Sequence, residues 1–181
     1  MFTCCLLEDL ITIQPRDFNE DVEQELIKSI KIKYINKIIP NIGCSMAFCE
    51  LLEYDQGFIL HNDGSSYHNT RFKLIVFRPL VGEVMQGRIS RSSKGGIFIQ
   101  CHEFYDILIP PRCMPNNMEY MEEEQVWVWN MEGEKSWLDS GEEIRIKIEK
   151  EEFSGQEKKS GYLIIAAING DGLGLTSWWE E

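Results

Sequence analysis

The sequence contains no run approaching the roughly 18 consecutive apolar residues of a membrane-spanning helix. It also lacks a basic leader, since Met1-Phe-Thr-Cys-Cys-Leu-Leu runs straight into Glu8 and Asp9. Neither a membrane span nor a secretory signal is therefore expected. Closely spaced cysteine pairs are missing as well. The six cysteines stand at positions 4, 5, 44, 49, 101 and 113, none in a CxxC arrangement. Cys44 and Cys49, nearest to metal-ligand spacing, lie in an apolar strand-like run where cysteine acts as a small hydrophobe. Reduced thiols and no metal are expected. There is no phosphate-binding loop, dinucleotide fingerprint, nucleophile elbow or paired-carboxylate signature, so no cofactor and no catalytic residue is expected. Basic charge is scarce: 18 Lys and Arg oppose 30 Asp and Glu, a net charge of −12 that as a whole repels nucleic acid. Disorder throughout is excluded by a 43% hydrophobic content with 27% charged residues.

What is present is unevenly distributed. Residues 1–80 carry eight basic and eleven acidic side chains, and residues 81–112 four against three. From Cys113 onward, six basic residues face sixteen acidic ones. Between Arg112 and Lys135 there is no cation at all, while Glu119, Glu122, Glu123, Glu124, Glu132 and Glu134 accumulate. That run reads as a solvated loop, with a docking surface for a basic partner as the alternative. Residues 81–112 are thus a neutral-to-basic module inside an acidic chain.

Along the chain, Phe2 to Ile13 reads as a strand. Asp17 and Glu20 have the spacing of a capping box. Phe18, Val22, Leu26, Ile30, Tyr34 and Ile38 then recur every four residues, which predicts an amphipathic helix of five to six turns ending at Pro40. Acidic residues in its first half and lysines in its second complement the helix dipole. Three strands follow, at Cys44–Leu52, Gly57–Leu60 and Thr70–Phe77, giving a small α+β domain. Arg78-Pro79-Leu80 is the expected boundary, with domains over 1–80 and 81–181. The second part reads as nearly all strand: 82–90, 96–101, 104–109, 125–129, 144–149 and 162–168, with 154–161 as a flexible hairpin loop. Ile144, Ile146 and Ile148 alternate with charged residues at the period of a half-buried strand. Five or six short strands in about a hundred residues suggest a small OB-type barrel.

Gly82-Glu-Val-Met-Gln-Gly-Arg-Ile-Ser, a polar turn, and Gly96-Ile-Phe-Ile resemble the OB-fold RNA-binding motif of ribosomal and exosome proteins. In such barrels an aromatic on the second strand stacks a base while nearby cations hold phosphate. By position, Phe98 is the stacking residue, Arg88, Arg91 and Lys94 are the cations, and Phe104 or Tyr105 is a second platform.

The whole chain resembles something narrower. Met1-Phe, Phe72-Lys-Leu-Ile-Val-Phe-Arg-Pro-Leu-Val-Gly-Glu-Val and Leu173-Gly-Leu resemble the stalk subunit family of archaeal and eukaryotic DNA-directed RNA polymerases. Asp106-Ile-Leu-Ile-Pro-Pro, Glu124-Gln-Val-Trp-Val-Trp and Gly172-Leu-Gly-Leu-Thr-Ser-Trp-Trp resemble its RNA polymerase III member. The resemblance implies a ribonucleoprotein-like tip domain followed by an OB barrel. It implies a non-catalytic nuclear subunit that supports transcription initiation, pairs with a small helical stalk subunit and meets nascent RNA weakly. It further implies that a tip loop within His61-Asn-Asp-Gly-Ser-Ser-Tyr-His-Asn-Thr contacts the polymerase core, through His61, Asn62, Asp63, Gly64, Ser65 and Tyr67. Trp178 and Trp179, aromatic in a charged setting, are candidates for the partner interface. Other readings stay open. One is a free-standing OB-fold RNA-binding or translation factor, and another is the equivalent subunit of a different nuclear polymerase. The third is a thiol- or metal-dependent enzyme built on Cys101, His102 and Asp106.

Overall fold

The structure is a computed structural model and describes residues 1–61, 63–131, 133–153 and 161–179. The chain is mostly β and divides into two compact units, Met1–Arg78 and Pro79–Glu181. The break has a simple cause. Arg78 donates its backbone N–H to the Met1 carbonyl, and Pro79 has no N–H with which to extend that ladder.

In the first unit, strand β1 (Phe2–Ile13) precedes helix α1 (Val22–Tyr34), β2 (Lys37–Ile39), β3 (Gly43–Tyr54), β4 (Phe58–Ile59) and β5 (Ser66–Phe77). The antiparallel sheet has the order β1-β5-β3-β2, with β4 also paired to β5. Strand β1 matches β5 without a break, from Phe2 opposite Phe77 to Ile13 opposite Ser66. Strand β3 carries three bulges against β5, each of which increases local twist. Ile11, Ile13, Phe72, Leu74 and Val76 on one sheet face bury Leu26 and Ile30 of the helix.

The helix is shorter than the spacing predicts. Pro15–Asp17 form a separate 3-10 turn, and Asp21 stands at the N-cap with no side-chain capping bond, so the Asp17–Glu20 capping box does not form. At the other end Ile35 is extended and Asn36 takes a left-handed backbone with φ 58°. Ile38, which continues the four-residue spacing in sequence, belongs instead to β2.

The second unit contains β6 (Val84–Ser93), β7 (Gly96–Cys101), β8 (Phe104–Ile109), β9 (Met118–Met121), β10 (Val126–Met131), β11 (Glu134–Leu138), β12 (Glu143–Phe153), β13 (Tyr162–Ala167) and β14 (Gly174–Leu175). The sheet order β13-β8-β7-β6-β12 closes on itself through β12–β13, giving a five-stranded OB-like barrel. All its pairings are antiparallel except β13 with β8, where Ile164 lies opposite Ile107. Ile97, Ile99, Ile107, Ile109, Ile144, Ile146, Ile148 and Ile164 fill it and are fully buried. Each contributes about 1.5–3 kcal/mol of burial. Gly96 turns the β6–β7 hairpin with φ +136°, and a Cβ there would sit 2.2 Å from the Ile109 carbonyl oxygen.

The stretch between β8 and β12 corrects the expected acidic loop. It forms an antiparallel meander, β9–β10–β11, with Val128 opposite both Glu119 and Trp137. Strand β10 matches the strand expected over 125–129, with Val126, Trp127 and Val128 buried in succession, whereas β9 and β11 stand where a solvated run is expected. The hairpin loop expected over 154–161 lies, except for Gly161, outside the described residues.

Candidate nucleic-acid interface

The outer barrel surface on β6, β7 and β8 is set by strand alternation. Ile97, Ile99 and Cys101 point inward, which leaves Phe98 and Gln100 on the outer side of β7. A bulge between Ile89 and Arg91 keeps two arginines on that same side of β6: Arg88 lies opposite Gln100 and Arg91 opposite Phe98. The Arg91 guanidinium sits over the Phe98 ring, 4.0 Å from its centroid. At that distance cation and ring attract electrostatically, and the guanidinium covers one face of the ring. Leu108 on β8 lies opposite Phe98. Gln100 donates from its amide to the Tyr105 hydroxyl at 3.0 Å and to the His102 carbonyl at 2.9 Å, which fixes its orientation.

The structure separates the two candidates for a second platform. Phe104 is 4% exposed and packs on Tyr162 inside the barrel, so it is corrected to a core residue. Tyr105 is 53% exposed and stands beside Gln100. Lys94, in the β6–β7 turn, is solvent-exposed. An open groove of about 420 Å³ runs beside this surface, lined by Gln86, Arg88, Gln100, His102 and Glu143 among others. The cations are not free. Arg88 pairs with Glu143 at 2.8 Å and Lys94 with Glu122 at 3.0 Å. Burial pushes the Asp106 carboxyl above its ordinary value, and the nearby Arg91 charge pulls it back only in part.

Cys101, His102 and Asp106 do not assemble as a thiol site. Cys101 is buried, and desolvation, aided by the Glu83 charge, pushes its thiol up to about 11. At neutral pH it is therefore a protonated thiol, poor as a nucleophile. His102 is exposed, with its backbone at φ 54°.

Near the end of the chain the two tryptophans play different parts. Trp178 packs on Trp129 with ring centroids 4.5 Å apart and donates its indole N–H to the Ser136 hydroxyl at 2.7 Å. It thereby ties the meander to the last barrel segment. Trp179 remains 51% exposed while its indole N–H donates to the Leu173 carbonyl at 3.1 Å. It is a large ring held in one orientation at the surface.

In the first unit the expected tip loop is a tighter turn than its sequence suggests. Ser65 is 3% exposed, and Tyr67 already belongs to β5. Asn62 lies outside the described residues. Asp63 closes the turn by accepting hydrogen bonds from the Tyr67 hydroxyl and the Ser65 backbone N–H, which hold its carboxyl below the ordinary value. Gly64 donates its N–H to the Leu60 carbonyl at 3.0 Å, and His61 is exposed. Phe58, Ile59 and Leu60, which sequence reasoning passed over, are exposed on the adjoining arm, and Phe58 stacks on Tyr67. The signal was present: three successive apolar residues beside a polar turn.

These features define a class: an OB-like barrel protein with an N-terminal sheet-and-helix unit and a barrel face carrying aromatic and cationic side chains. The model of a family described as RNA polymerase III subunit Rpc25 matches residues 83–160. The chain is 36% identical to DNA-directed RNA polymerase III subunit rpc8 of Schizosaccharomyces pombe over 203 aligned residues, covering 99% of this chain and 100% of the relative. It is 32% identical to subunit RPC8 of Saccharomyces cerevisiae, with the same coverage. The archaeal polymerase subunit Rpo7 of Sulfolobus acidocaldarius is 24% identical over 82% of this chain and 80% of its own length. The chain belongs to the RPC8 family of RNA polymerase III subunits.

Proposed function

We propose that this chain is the larger stalk subunit of a nuclear RNA polymerase III. It acts without catalysis, pairs with a small helical stalk subunit and supports initiation. The full-length similarity to RPC8 relatives carries this reading. The N-terminal unit is assigned as the ribonucleoprotein-like tip, residues 1–80. Its turn at His61, Asp63, Gly64, Ser65 and Tyr67, together with the apolar arm Phe58–Leu60, is assigned to the polymerase core. The barrel, residues 81–181, meets nascent single-stranded RNA through Phe98, Arg88, Arg91, Lys94 and Tyr105. Phe98 and Arg91, side by side on the outer barrel surface, support that assignment, because an aromatic ring and a cation are the groups that stack a base and meet phosphate. Trp179 is assigned to the partner interface.

Co-expression with candidate small helical subunits tests the reading. A stable one-to-one complex that co-purifies with polymerase III is the expected result. A monodisperse monomer that ignores every candidate would overturn it and favour a free-standing RNA-binding factor. A fluorescent fusion of the chain is expected in the nucleus.

A further inference from the structure

We propose that the barrel's nucleic-acid face is gated from within, Glu143 and Glu122 occupying Arg88 and Lys94 as tethered stand-ins for phosphate that RNA must displace. The gate rests on the reading of this face as an RNA-contacting surface and adds its regulation. Three cations serve the face, and carboxylates from three different elements meet them. Glu143 on β12 is the direct backbone partner of Arg88 on β6, so their 2.8 Å contact is built into the sheet register. Glu122 reaches Lys94 from the β9–β10 turn at 3.0 Å. The neighbouring strand start is anchored to the same hairpin, because the Trp127 indole N–H donates to the Ser93 carbonyl at 2.9 Å. Arg91 lies over Phe98, covering the ring a base would stack on, with Asp106 close enough to feel its charge.

A carboxylate and a phosphate use the same ammonium and guanidinium donors, so the two compete directly. Exposed pairs of this kind are weak, which makes the carboxylates a competitor and not a lock. An isolated anion gains little by replacing one of them. A strand that brings adjacent phosphates and a base displaces both carboxylates and the Arg91 cover together. The face therefore favours RNA delivered at high local concentration over RNA met in free solution.

The test is binding of the full chain to a fluorescein-labelled oligouridine of about 12 nucleotides, read by anisotropy across a salt series. The double variant Glu122→Gln with Glu143→Gln frees two cations. Glu123→Gln with Glu124→Gln removes the same charge from exposed residues beside Glu122 and serves as the control. The paired variant is expected to bind about three- to tenfold more tightly than wild type. Its plot of log affinity against log salt should also steepen, by up to about 1.4, because the two phosphate contacts no longer leave displaced carboxylates beside the strand to hold counterions. The control should show less than half of that gain in affinity and no change of slope. Equal effects of the two double variants would overturn the gate. If equal effects accompany loss of binding on Arg88→Ala with Phe98→Ala, the gate falls and the RNA reading stands. If neither wild type nor the paired variant binds at any salt, both fall.

Discussion

Trp178 and Trp179 are neighbours in sequence with different surroundings, and the difference decides what each does. The Trp178 ring lies on Gly174, whose backbone has φ +101° and where a Cβ would come within 2.1 Å of the ring. With Trp129 beneath it and Ser136 accepting from its indole N–H, Trp178 is a clasp between meander and barrel. Trp178→Ala is expected to cost about 2–4 kcal/mol of stability in chemical denaturation. Trp179→Ala is expected to change stability by less than about 1 kcal/mol. Its effect should appear instead as weaker association with the small helical subunit, measured by calorimetry. A large loss of stability from Trp179→Ala would reassign it to the core. The sequence marks both rings equally, since nothing local distinguishes one that meets Trp129 from one that faces solvent. The same holds for Phe104 and Tyr105: adjacency predicts opposite sides of a strand without saying which side is inside.

At the scale of elements, helix α1 is joined to the sheet by apolar packing, by Lys31 over the Phe48 ring and by a polar tie at Asp9. Asp9 on β1 accepts hydrogen bonds from the Lys33 ammonium and the Tyr34 hydroxyl. Burial alone would raise the Asp9 carboxyl, but these bonds and the Lys33 charge outweigh it and hold the group below its ordinary 3.8. A carboxyl lowered on folding stabilises fully above its unfolded value, and that contribution is lost as pH falls through the lower folded value. Acidification below about pH 4 should therefore loosen the helix from β1, and Asp9→Asn should flatten that limb of a stability–pH curve. An unchanged acid limb in Asp9→Asn would remove the tie from the account. Tyr34 is raised by burial and then by Asp9, so its share is present at neutral pH and lost on strong alkalinisation. Elements with clean periodicity were legible in advance. Ile144, Ile146 and Ile148 do alternate inward in β12. The helix is shorter than the pattern predicts because Ile38 follows Tyr34 at the four-residue spacing while the extended Ile35 and the left-handed Asn36 between them end the helix. Strands β9 and β11 carry no apolar alternation in the sequence: no residue of Met118–Met121 is buried, and in β11 Leu138 is the buried one among the described side chains.

For the whole molecule, the net charge of −12 conceals a division of labour. Most of the acid follows Cys113, in the segments that build the meander and the second half of the barrel, whereas the proposed RNA face uses the β6–β7 hairpin. Sequence partition makes that module visible. It does not reveal that Glu122 and Glu143 return from 28 and 55 residues away to pair with its cations. Those long-range contacts belong to the closed barrel and have no local signature. Their consequence for the intact chain is quantitative. Among the described residues, the proposed face uses three cations, Arg88, Arg91 and Lys94, and two of them are already paired with carboxylates, so few counterions are released when RNA binds. For single-stranded RNA each phosphate neutralised contributes about 0.7 to the salt slope, so three cations set a limit near −2. The full chain alone should therefore bind oligouridine weakly, losing no more than roughly twentyfold in affinity between about 50 and 200 mM salt. A slope of about −4 or steeper would require cations elsewhere on the chain to touch the backbone and would move the interface away from β6 and β7. A slope within the limit leaves recruitment to the assembly, and not long-range charge, as the means by which this subunit meets RNA.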